Sequence, residues 1–441
     1  MLNNLYYNLV RDNLAENFKS GKEALSHMEN SPAIYKGKPV PCLYMPKIFS
    51  QEAFEHLQKC VKTICDILDK VISRYLSDPK YRKLFPFEPE LEELILTEAG
   101  YPRLLPIARL DIFLNEEDLS FKFCEFNADG SSAMIEDREL NLAIQSADAM
   151  TRLKSNHEVI IFELFDSWVR EFAEIYSTYN KKVSNPRIAI VDFFDKAPNE
   201  FFAFQDAFIR AGFTTTVEEI RTLQYTNGEL LTKNGHKIDA VYRRAVTRDV
   251  IDNLKDVQAF VQAAKDQTVC LIGHFRTQII HNKSIFRILH QAETLSFLTK
   301  EEQDFVHAHI PHTYKLESGG FESLNILANK EKWIIKPEDL YGSRGVFAGV
   351  DCTQTQWDEA IKNNCNQGYL LQEYCNPYKS INLDFNDTDS PEFKKYNNIT
   401  GMFVYNKKLA GLYSRASVMG VISGYTKGLT LASLVAKPLP L

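Results

Sequence analysis

Two short β-type runs of this sequence combine apolar side chains with charged ones. They are residues 109–114 (RLDIFL) and 120–127 (SFKFCEFN), joined by a polar segment. Because side chains alternate along a strand, Arg109 and Asp111 share one face of the first run, and Glu125 and Asn127 share one face of the second. The polar connection predicts a hairpin, in which Asp111 lies near Glu125 and Arg109 near Asn127.

The converging oxygen atoms of Asp111, Glu125 and Asn127 predict a site for a hard cation such as Mg²⁺. Two carboxylates on neighbouring strands repel each other, which is a physical reason to expect a cation between them. Alternation places Cys124 and Phe126 on the opposite face. The alternative is a solvated hairpin whose polar face meets only water.

A second candidate begins at Lys336, which ends an apolar β run and precedes a glycine-bearing loop. Gly342 and Gly345 allow backbone N–H groups to approach phosphate oxygens closely. Ser343 and Arg344 add a hydroxyl and a guanidinium, which bind phosphate well. An ordinary hairpin connection has the same appearance, and the loop lacks the GxxxxGK[ST] pattern of a Walker motif.

Three further features are weaker when taken alone. The run 369–374 (YLLQEY) is an apolar strand ending in a carboxylate, which suits a ribose hydroxyl beside an adenine edge; a core strand that reaches the surface explains it equally well. Lys283 and Arg415 are single cations in apolar surroundings, a pattern that surface residues with packed stems also show. The pair Arg243 and Arg244 could bind a substrate carboxylate or could end a surface strand.

Histidines and cysteines give little support to other chemistries. The spacing of His307, His309 and His312 favours a helix surface over a metal centre. The eight cysteines are scattered without a CxxC pair, so we interpret them as reduced thiols rather than a disulfide or zinc framework. GxSxG and HExxH motifs are also absent.

The composition limits the class of protein. The chain has 441 residues, 44% of them apolar, which is enough for two or three packed lobes. A net charge of -7 without long like-charge runs argues against a nucleic-acid backbone binder. The amphipathic N-terminal segment does not have a signal-peptide pattern, and no stretch is apolar enough to span a bilayer. We therefore expect a cytoplasmic protein.

Several elements must position these residues. Apolar residues at helical spacing between Gln51 and Tyr75 predict a mainly helical region over residues 1–100. Residues 101–184 contain the hairpin and a helical stretch to about Tyr179. Residues 185–275 alternate strand and helix, which predicts a small, mostly parallel α/β lobe, and the lack of GxGxxG argues against a dinucleotide fold. Residues 276–441 form a β-rich last part.

Six motifs, taken in chain order, resemble the synthetase domain of the glutathionylspermidine synthase family. They are RLD (109–111), EFNAD (125–129), HNK (281–283), IIKP with GSRG (334–345), LQEY (371–374) and GLYSR (411–415). The resemblance spans residues 100–420. It implies an α/β (α+β), permuted ATP-grasp fold, in which the metal hairpin precedes the two ATP-binding lysines.

The resemblance also implies roles for the individual residues. Asp111, Glu125 and Asn127 would bind Mg²⁺, and Arg109 would face the transferred phosphoryl group. The ATP-binding positions would be Lys283, Lys336, Gly342, Ser343, Arg344, Gly345, Gln372, Glu373 and Tyr374. Arg415 would stabilise charge on an acyl-phosphate intermediate, which an amine then attacks to form an amide. The expected function is thus an ATP- and Mg²⁺-dependent carboxylate–amine ligase.

The substrates are left open by the sequence. Bacterial members of the family commonly carry an additional cysteine amidase domain, and no such module is recognisable here. A glutathione-like peptide or small acid, joined to a polyamine or amino acid, is the expectation, with neither nucleic acid nor membrane as partner; the oligomeric state is not predicted. The alternatives are an ATP-grasp phosphotransferase and a protein that binds ATP without turnover.

Overall fold

The structure, a computed structural model, describes residues 2–35, 37–194, 199–319, 324–386, 391–423 and 428–440. Its helices are α1 Leu2–Asp12, α2 Leu14–Asn30, α3 Gln51–Ser77, α4 Pro79–Arg82, α5 Pro89–Leu96, α6 Met134–Ile144, α7 Asp148–Lys154, α8 Asp166–Ser177, α9 Asn199–Arg210, α10 Thr247–Asp252, α11 Gln258–Lys265, α12 Gln278–His281, α13 Ile285–Ile288, α14 Ala292–Leu295, α15 Lys300–His309 and α16 Gln354–Asn364.

The strands form several sheets between these helices. They are β1 Ile34–Tyr35, β2 Lys38–Pro39, β3 Lys47–Ser50, β4 Ile107–Leu114, β5 Phe121–Asn127, β6 His157–Ile161, β7 Arg187–Asp192, β8 Thr214–Glu219, β9 Gln224–Thr226, β10 Glu229–Leu231, β11 Ala240–Arg243, β12 Cys270–Ile272, β13 Thr313–Lys315, β14 Trp333–Pro337, β15 Phe347–Ala348, β16 Tyr369–Glu373, β17 Lys379–Asn382, β18 Lys394–Tyr405, β19 Lys408–Ser417, β20 Leu429–Leu431 and β21 Ser433–Pro438.

The main antiparallel sheet has the order β20-β19-β18-β4-β5, and β17 pairs with the beginning of β18. A second antiparallel sheet has the order β13-β16-β14-β15. Strand β21 lies between β3 and β6 in a smaller sheet. The fold is therefore mixed α/β with several sheets, as expected.

The predicted hairpin is confirmed. Strands β4 and β5 pair antiparallel, with Asp111 opposite Glu125 and Arg109 opposite Asn127. The turn is closed by the Asn115 N–H, which donates to the Ser120 carbonyl at 2.8 Å. Local pairing of two adjacent strands needs only a short turn, which is why the sequence pattern sufficed to predict it.

The prediction that side chains alternate strictly between the two faces of β5 is wrong. The register shifts after Asp111, so that Ile112 pairs with Phe123 and Cys124 is the extra residue of a β-bulge. Phe123 and Phe126 are both buried in the main hydrophobic core, whereas Cys124 is only half-buried. The bulge thus lets β5 place these two phenylalanines in the core while Glu125 stays opposite Asp111.

Helix α3 explains why the opposite face of the hairpin is apolar. Its N-terminus is capped by the Ser50 hydroxyl, which accepts the Ala53 N–H at 3.1 Å. The apolar stripe predicted for residues 51–75 is buried and joins the core cluster that contains Leu110 and Ile112. Burial of that side of β4 leaves Arg109 and Asp111 on the other side.

The parallel sheet predicted for this part of the chain is present. Strands β12-β11-β7-β8 form a parallel sheet, covering residues 187–272 together with their connections. Asn227 and Gly228, both at positive φ, turn the chain between β9 and β10. The helical stretch expected up to Tyr179 is wrong in one place: the β-branched segment His157–Ile161 forms β6, which pairs with β21.

Two further findings concern the described residues as a whole. All eight cysteines are free thiols, and Cys42, Cys60, Cys65 and Cys270 are buried. Among the described helices, none combines the length and the hydropathy needed to cross a membrane.

Candidate active site

A buried ion pair on β4 is the centre of the site. Arg109 donates from Nε to Asp111 Oδ1 at 2.7 Å and from Nη2 to Asp111 Oδ2 at 3.0 Å. Its Nη1 donates to the Ser132 carbonyl at 2.8 Å. Burial raises the pKa of the Asp111 carboxyl, although the Arg109 charge acts in the opposite direction. The guanidinium is thus held in a fixed orientation by three hydrogen bonds.

Close packing against β18 leaves no room for a side chain opposite this pair. Gly401 pairs with Asp111 across β18 and β4. A Cβ at Gly401 would lie 2.8 Å from both Arg109 Cδ and Asp111 Oδ1. A glycine at this position is therefore a steric requirement of the ion pair.

The polar residues of β5 complete the cluster. Asn127 Nδ2 lies 3.2 Å from Asp111 Oδ2 and 3.2 Å from Glu125 Oε1, so its amide sits between the two carboxylates. Assignment of the amide nitrogen and oxygen follows the hydrogen-bond network. The three side chains thus lie together, although the amide nitrogen of Asn127, rather than its oxygen, is between the carboxylates, and their metal-binding role stays a prediction.

Arg415 joins the cluster from a distant part of the chain. It lies on β19, and its Nη2 is 3.4 Å from Asp111 Oδ2. The ring of Tyr413 lies near both arginines, with guanidinium carbons 5.6 Å (Arg109) and 5.5 Å (Arg415) from the ring centre. Two guanidinium groups therefore face the same region, beside one carboxylate.

Both predicted lysines, Lys283 and Lys336, lower the pKa of the Glu125 carboxyl. Burial raises the pKa of the Glu125 carboxyl, but the positive charges of Lys283, Arg109 and Lys336 outweigh burial and bring the pKa to about 2. Burial lowers the pKa of the Lys283 ammonium group, with Glu125 acting in the opposite direction. The region consequently keeps an ionised carboxylate among several cations and is suited to additional anionic groups.

The lysines also connect separate elements. Lys336 on β14 donates to Gln372 Oε1 at 2.8 Å and to the Cys124 carbonyl of β5 at 3.2 Å, which links the second sheet to the main one. Lys283 donates from Nζ to the Leu340 carbonyl, next to the glycine-bearing loop. Lys336, Gln372 and Lys283 therefore lie at the junction of the two sheets.

The glycine-bearing loop contributes only part of its predicted residues to the cavity. Gly342 and Ser343 line it, both at positive φ. The Arg344 guanidinium lies 5.1 Å from the Tyr341 ring centre, and a Cβ on Gly345 would be 2.5 Å from the Tyr369 hydroxyl. Gly345 thus permits close packing of the loop on β16.

The predicted adenosine residues lie at the end of β16. Gln372 also donates to Thr313 Oγ1 at 2.9 Å. The Glu373 carboxylate accepts the His312 N–H at 3.0 Å, and the Tyr374 hydroxyl donates to the Gly420 carbonyl at 3.4 Å. Glu373 and Tyr374 lie outside the described lining of the cavity, and their role in binding adenosine stays a prediction.

A cavity of about 290 Å³ is lined by six of the fourteen predicted site residues, whereas Asp111, Lys283, Lys336 and Gln372 lie outside its described lining. Its wall includes Arg109, Glu125, Asn127 and Arg415 from the main sheet. The start of α6 and the parallel lobe also contribute to the wall, the lobe through Glu200 and Arg244. Charged groups from several elements thus line a space large enough for small-molecule groups.

One residue of the cavity wall, Glu200, was not predicted from the sequence. Glu200 of α9 accepts the backbone N–H groups of Ala133, Met134 and Ile135 at 3.0, 2.8 and 3.2 Å, and it pairs with Arg244 at 2.7 Å. Satisfaction of helix N–H groups by a carboxylate is favourable at a helix N-terminus. No local sequence signal connects Glu200 to residues some 65 positions earlier.

Arg243 and Arg244 have different surroundings, and neither is a surface residue. Arg243 pairs with Asp129 Oδ1 at 2.7 Å and donates to the Ala245 carbonyl at 2.6 Å. Asp129 in turn accepts the Thr247 N–H at 2.6 Å. The strand-end surface interpretation is therefore wrong, since both guanidinium groups are buried against carboxylates.

The histidines do not form a metal centre in the described part of the chain, where no group of three or more His, Cys, Asp and Glu side chains could hold an ion. His307 and His309 lie in the last turn of α15, as the spacing suggested. The His309 ring stacks on Phe121 at 4.1 Å, and His290 stacks on His312 at 4.3 Å. His309 is therefore a packing residue at the edge of the hairpin.

Comparisons with known proteins identify the fold but no family. No protein-family model matches the sequence, and no curated protein matches it. A glutathione synthetase like-effector from Globodera pallida, solved in the apo form, is similar with a TM-score of 0.59 and 10% identity, over 95% of this chain and 96% of that chain.

A second solved structure is a putative gamma-glutamylcysteine synthetase from Methylobacillus flagellatus KT. Its TM-score is 0.43 at 9% identity, over 88% of this chain and 89% of that chain, and a TM-score this low supports no argument. At 10% identity, the likeness to the effector shows a shared overall fold and nothing about activity.

Proposed function

We propose that this chain is an ATP- and Mg²⁺-dependent carboxylate–amine ligase with a permuted ATP-grasp fold, similar to the synthetase domain of the glutathionylspermidine synthase family. It would activate a small acid or glutathione-like peptide as an acyl phosphate and join it to a polyamine or amino acid. The observation that carries the proposal is the cluster of Arg109, Asp111, Glu125, Asn127 and Arg415, all of which except the buried Asp111 line one cavity.

The donor set fits a magnesium ion. Two carboxylates and a carboxamide supply oxygen atoms, which Mg²⁺ prefers. Arg109 uses both oxygens of Asp111, and Asn127 Nδ2 and Arg415 Nη2 also approach Oδ2, so an ion bound to Asp111 would replace one of these longer contacts. Asp111, Glu125 and Asn127 would hold the ion, which would neutralise charge on the phosphates of ATP.

The basic residues account for the rest of the chemistry. A carboxylate is a poor electrophile, so it must first be converted into an acyl phosphate, and charge then spreads over the phosphoryl oxygens. Arg109 and Arg415 stabilise this charge from fixed positions, and Lys283 and Lys336 bind the ATP phosphates. The cavity wall keeps water from the activated carbonyl until the amine attacks and phosphate leaves.

The division of the chain belongs to the same proposal. Residues 1–100 would form the N-terminal region, 101–184 the metal hairpin and its helices, 185–275 the small α/β lobe, and 276–441 the lobe that binds ATP. In this order the metal residues precede Lys283 and Lys336, which is the permuted arrangement. We also propose a cytoplasmic location.

The test is a substrate screen with the full chain, ATP and Mg²⁺. The acids are glutathione, γ-glutamylcysteine and glutamate, and the acceptors are spermidine, glycine, cysteine and hydroxylamine. We expect ADP and phosphate release that requires both an acid and an acceptor, and a product whose mass is that of the acid plus the acceptor less one water.

Two other outcomes would overturn the proposal. Transfer of phosphate to a stable acceptor, without amide or hydroxamate formation, would indicate a phosphotransferase. Saturable ATP binding without ADP release for any acid with hydroxylamine would indicate a protein that binds ATP without turnover.

A further inference from the structure

One carboxylate of the cavity wall, that of Glu136, accepts hydrogen bonds from two hydroxyl groups. Glu136 lies in the first turn of α6 and is half-buried. It accepts a short hydrogen bond from the Tyr413 hydroxyl and a second from Thr430 Oγ1 at 3.2 Å. Among the residues that the structure describes, no lysine, arginine or histidine forms an ion pair with it. Within the described part of the chain, the partners of this carboxylate are therefore hydroxyl groups and not cations.

Other carboxylates of the same cavity are matched with cations. Glu200 pairs with Arg244 and Asp129 with Arg243. Glu125 is ionised in the field of Lys283. A half-buried carboxylate without a counter-charge is costly, and a cationic ligand removes this cost.

Tyr413 sets the distance between Glu136 and the reacting groups. The hydroxyl end of Tyr413 contacts Glu136, while the guanidinium groups of Arg109 and Arg415 lie over its ring. Burial, aided by the Glu136 charge, raises the pKa of Tyr413 well above its usual value. The hydroxyl therefore stays protonated and donates its hydrogen bond to Glu136. The Tyr413 ring thus separates the Glu136 carboxylate from the guanidinium groups of Arg109 and Arg415.

We propose that Glu136 binds the amine substrate as its ammonium ion and accepts one proton from it before the attack. This inference rests on the proposed ligase function. An alkyl amine is protonated near neutral pH and has no free electron pair, so the proton must leave first. The first proton passes from nitrogen to the Glu136 carboxylate, and the nitrogen electron pair then forms the C–N bond. The bond from the carbonyl carbon to the phosphate oxygen breaks, its electrons leave with the phosphate, and the second nitrogen proton passes to that phosphate.

A purely structural role for Glu136 makes a different prediction. An acidic residue in the first turn stabilises a helix, and the hydrogen bond to Tyr413 joins α6 to β19. If Glu136 did no more than this, its replacement would affect every acceptor equally. The choice of acceptor therefore separates the two roles.

The experiment compares Glu136→Gln with the wild-type chain, using ATP, Mg²⁺ and the acid that gives the highest wild-type hydroxamate yield in the screen. Hydroxylamine is largely unprotonated at neutral pH and needs no proton acceptor, whereas spermidine, glycine and cysteine carry ammonium groups. We expect amide formation with the ammonium acceptors to fall about 100-fold or more. Hydroxamate formation should stay within about threefold of wild type, since no proton transfer to Glu136 is involved.

The control variant is Glu139→Gln on the same helix, whose carboxylate pairs with Arg138 and His27 and lies outside the described cavity wall. It should keep both rates. Equal loss of hydroxamate and amide formation in Glu136→Gln, or no loss of either, would overturn the role of Glu136. Absence of hydroxamate formation in the wild-type chain would instead count against the ligase function itself.

Discussion

At the scale of single residues, Asp111 is the most constrained group of the site. It is 1% exposed, accepts two hydrogen bonds from Arg109 and lies 3.4 Å from Arg415. Arg109 is itself buried, so removal of the Asp111 carboxylate would leave a guanidinium without a partner. The structural and chemical roles of Asp111 must therefore be separated by the choice of substitution.

We predict that Glu125→Gln and Asp111→Asn each lower Mg²⁺-dependent ADP release by about 100-fold, because each removes one charge that would hold the ion. A titration of the rate with Mg²⁺ should show a higher midpoint in both variants. Glu117→Gln, in the exposed turn of the same hairpin, is the control and should behave as wild type. Unchanged Mg²⁺ midpoints for Glu125→Gln and Asp111→Asn would disprove the metal role.

The alanine variant at the same position reports on folding. Asp111→Ala should lower the free energy of unfolding by about 3–5 kcal/mol, because the buried Arg109 loses its partner. Asp111→Asn keeps a hydrogen-bond acceptor and should lose less. Urea unfolding curves measure this difference, and equal midpoints for the two variants would contradict it.

At the scale of elements, the site depends on how closely β4 and β18 pack. The hairpin carries the acidic residues, but its polar face is closed by Gly401 of the neighbouring strand. The bulge at Cys124 keeps Glu125 opposite Asp111 while Phe123 and Phe126 are buried. Two features of the sheet, a glycine and a bulge, thus fix positions that the side chains alone do not.

We predict that Gly401→Ala displaces the Arg109 side chain and lowers activity, because the added methyl group would overlap Arg109 and Asp111. Gly411→Ala is a matched control on β19, where a Cβ would be 2.7 Å from Phe162 Cβ, away from the ion pair. Both variants should lose about 1–3 kcal/mol of stability in urea unfolding. At urea concentrations too low to unfold either variant, only Gly401→Ala should show reduced ADP release. Equal ADP release by Gly401→Ala and Gly411→Ala would refute the steric argument.

At the scale of the whole molecule, the parallel lobe is joined to the hairpin region by one buried ion pair and by a carboxylate that accepts helix N–H groups. Glu200 connects Arg244 to the start of α6, and Arg243 binds Asp129, which follows the hairpin. These contacts place one wall of the cavity relative to the other. The lobe therefore takes part in the site, although its own sequence contains no recognisable binding motif.

We predict that Glu200→Gln lowers the free energy of unfolding by about 3–5 kcal/mol, because Arg244 is buried and loses its counter-charge. Glu229→Gln breaks an exposed pair with Lys237 in the same lobe and should cost under about 1 kcal/mol. Urea unfolding measures both. Similar losses in the two variants would mean that the Glu200 contact adds nothing beyond a surface pair.

Several elements could be predicted from the sequence because their signals are local. Alternation and a polar turn predicted the hairpin and the shared face of Asp111 and Glu125. Helical spacing predicted α3, and the alternation of strand and helix predicted the parallel lobe. These patterns depend only on neighbouring residues, since backbone geometry decides which side chains share a face.

The tertiary structure alone decided which distant residues meet. Arg415 reaches Asp111 across 304 positions, Lys336 reaches Cys124 across 212, and Glu200 caps a helix about 65 positions earlier. It also decided the bulge at Cys124, and the contact of Glu136 with Tyr413 across 277 positions. Such contacts depend on strand pairing and on the burial of oppositely charged groups next to each other. Both are properties of the packed chain, and no short stretch of sequence predicts them.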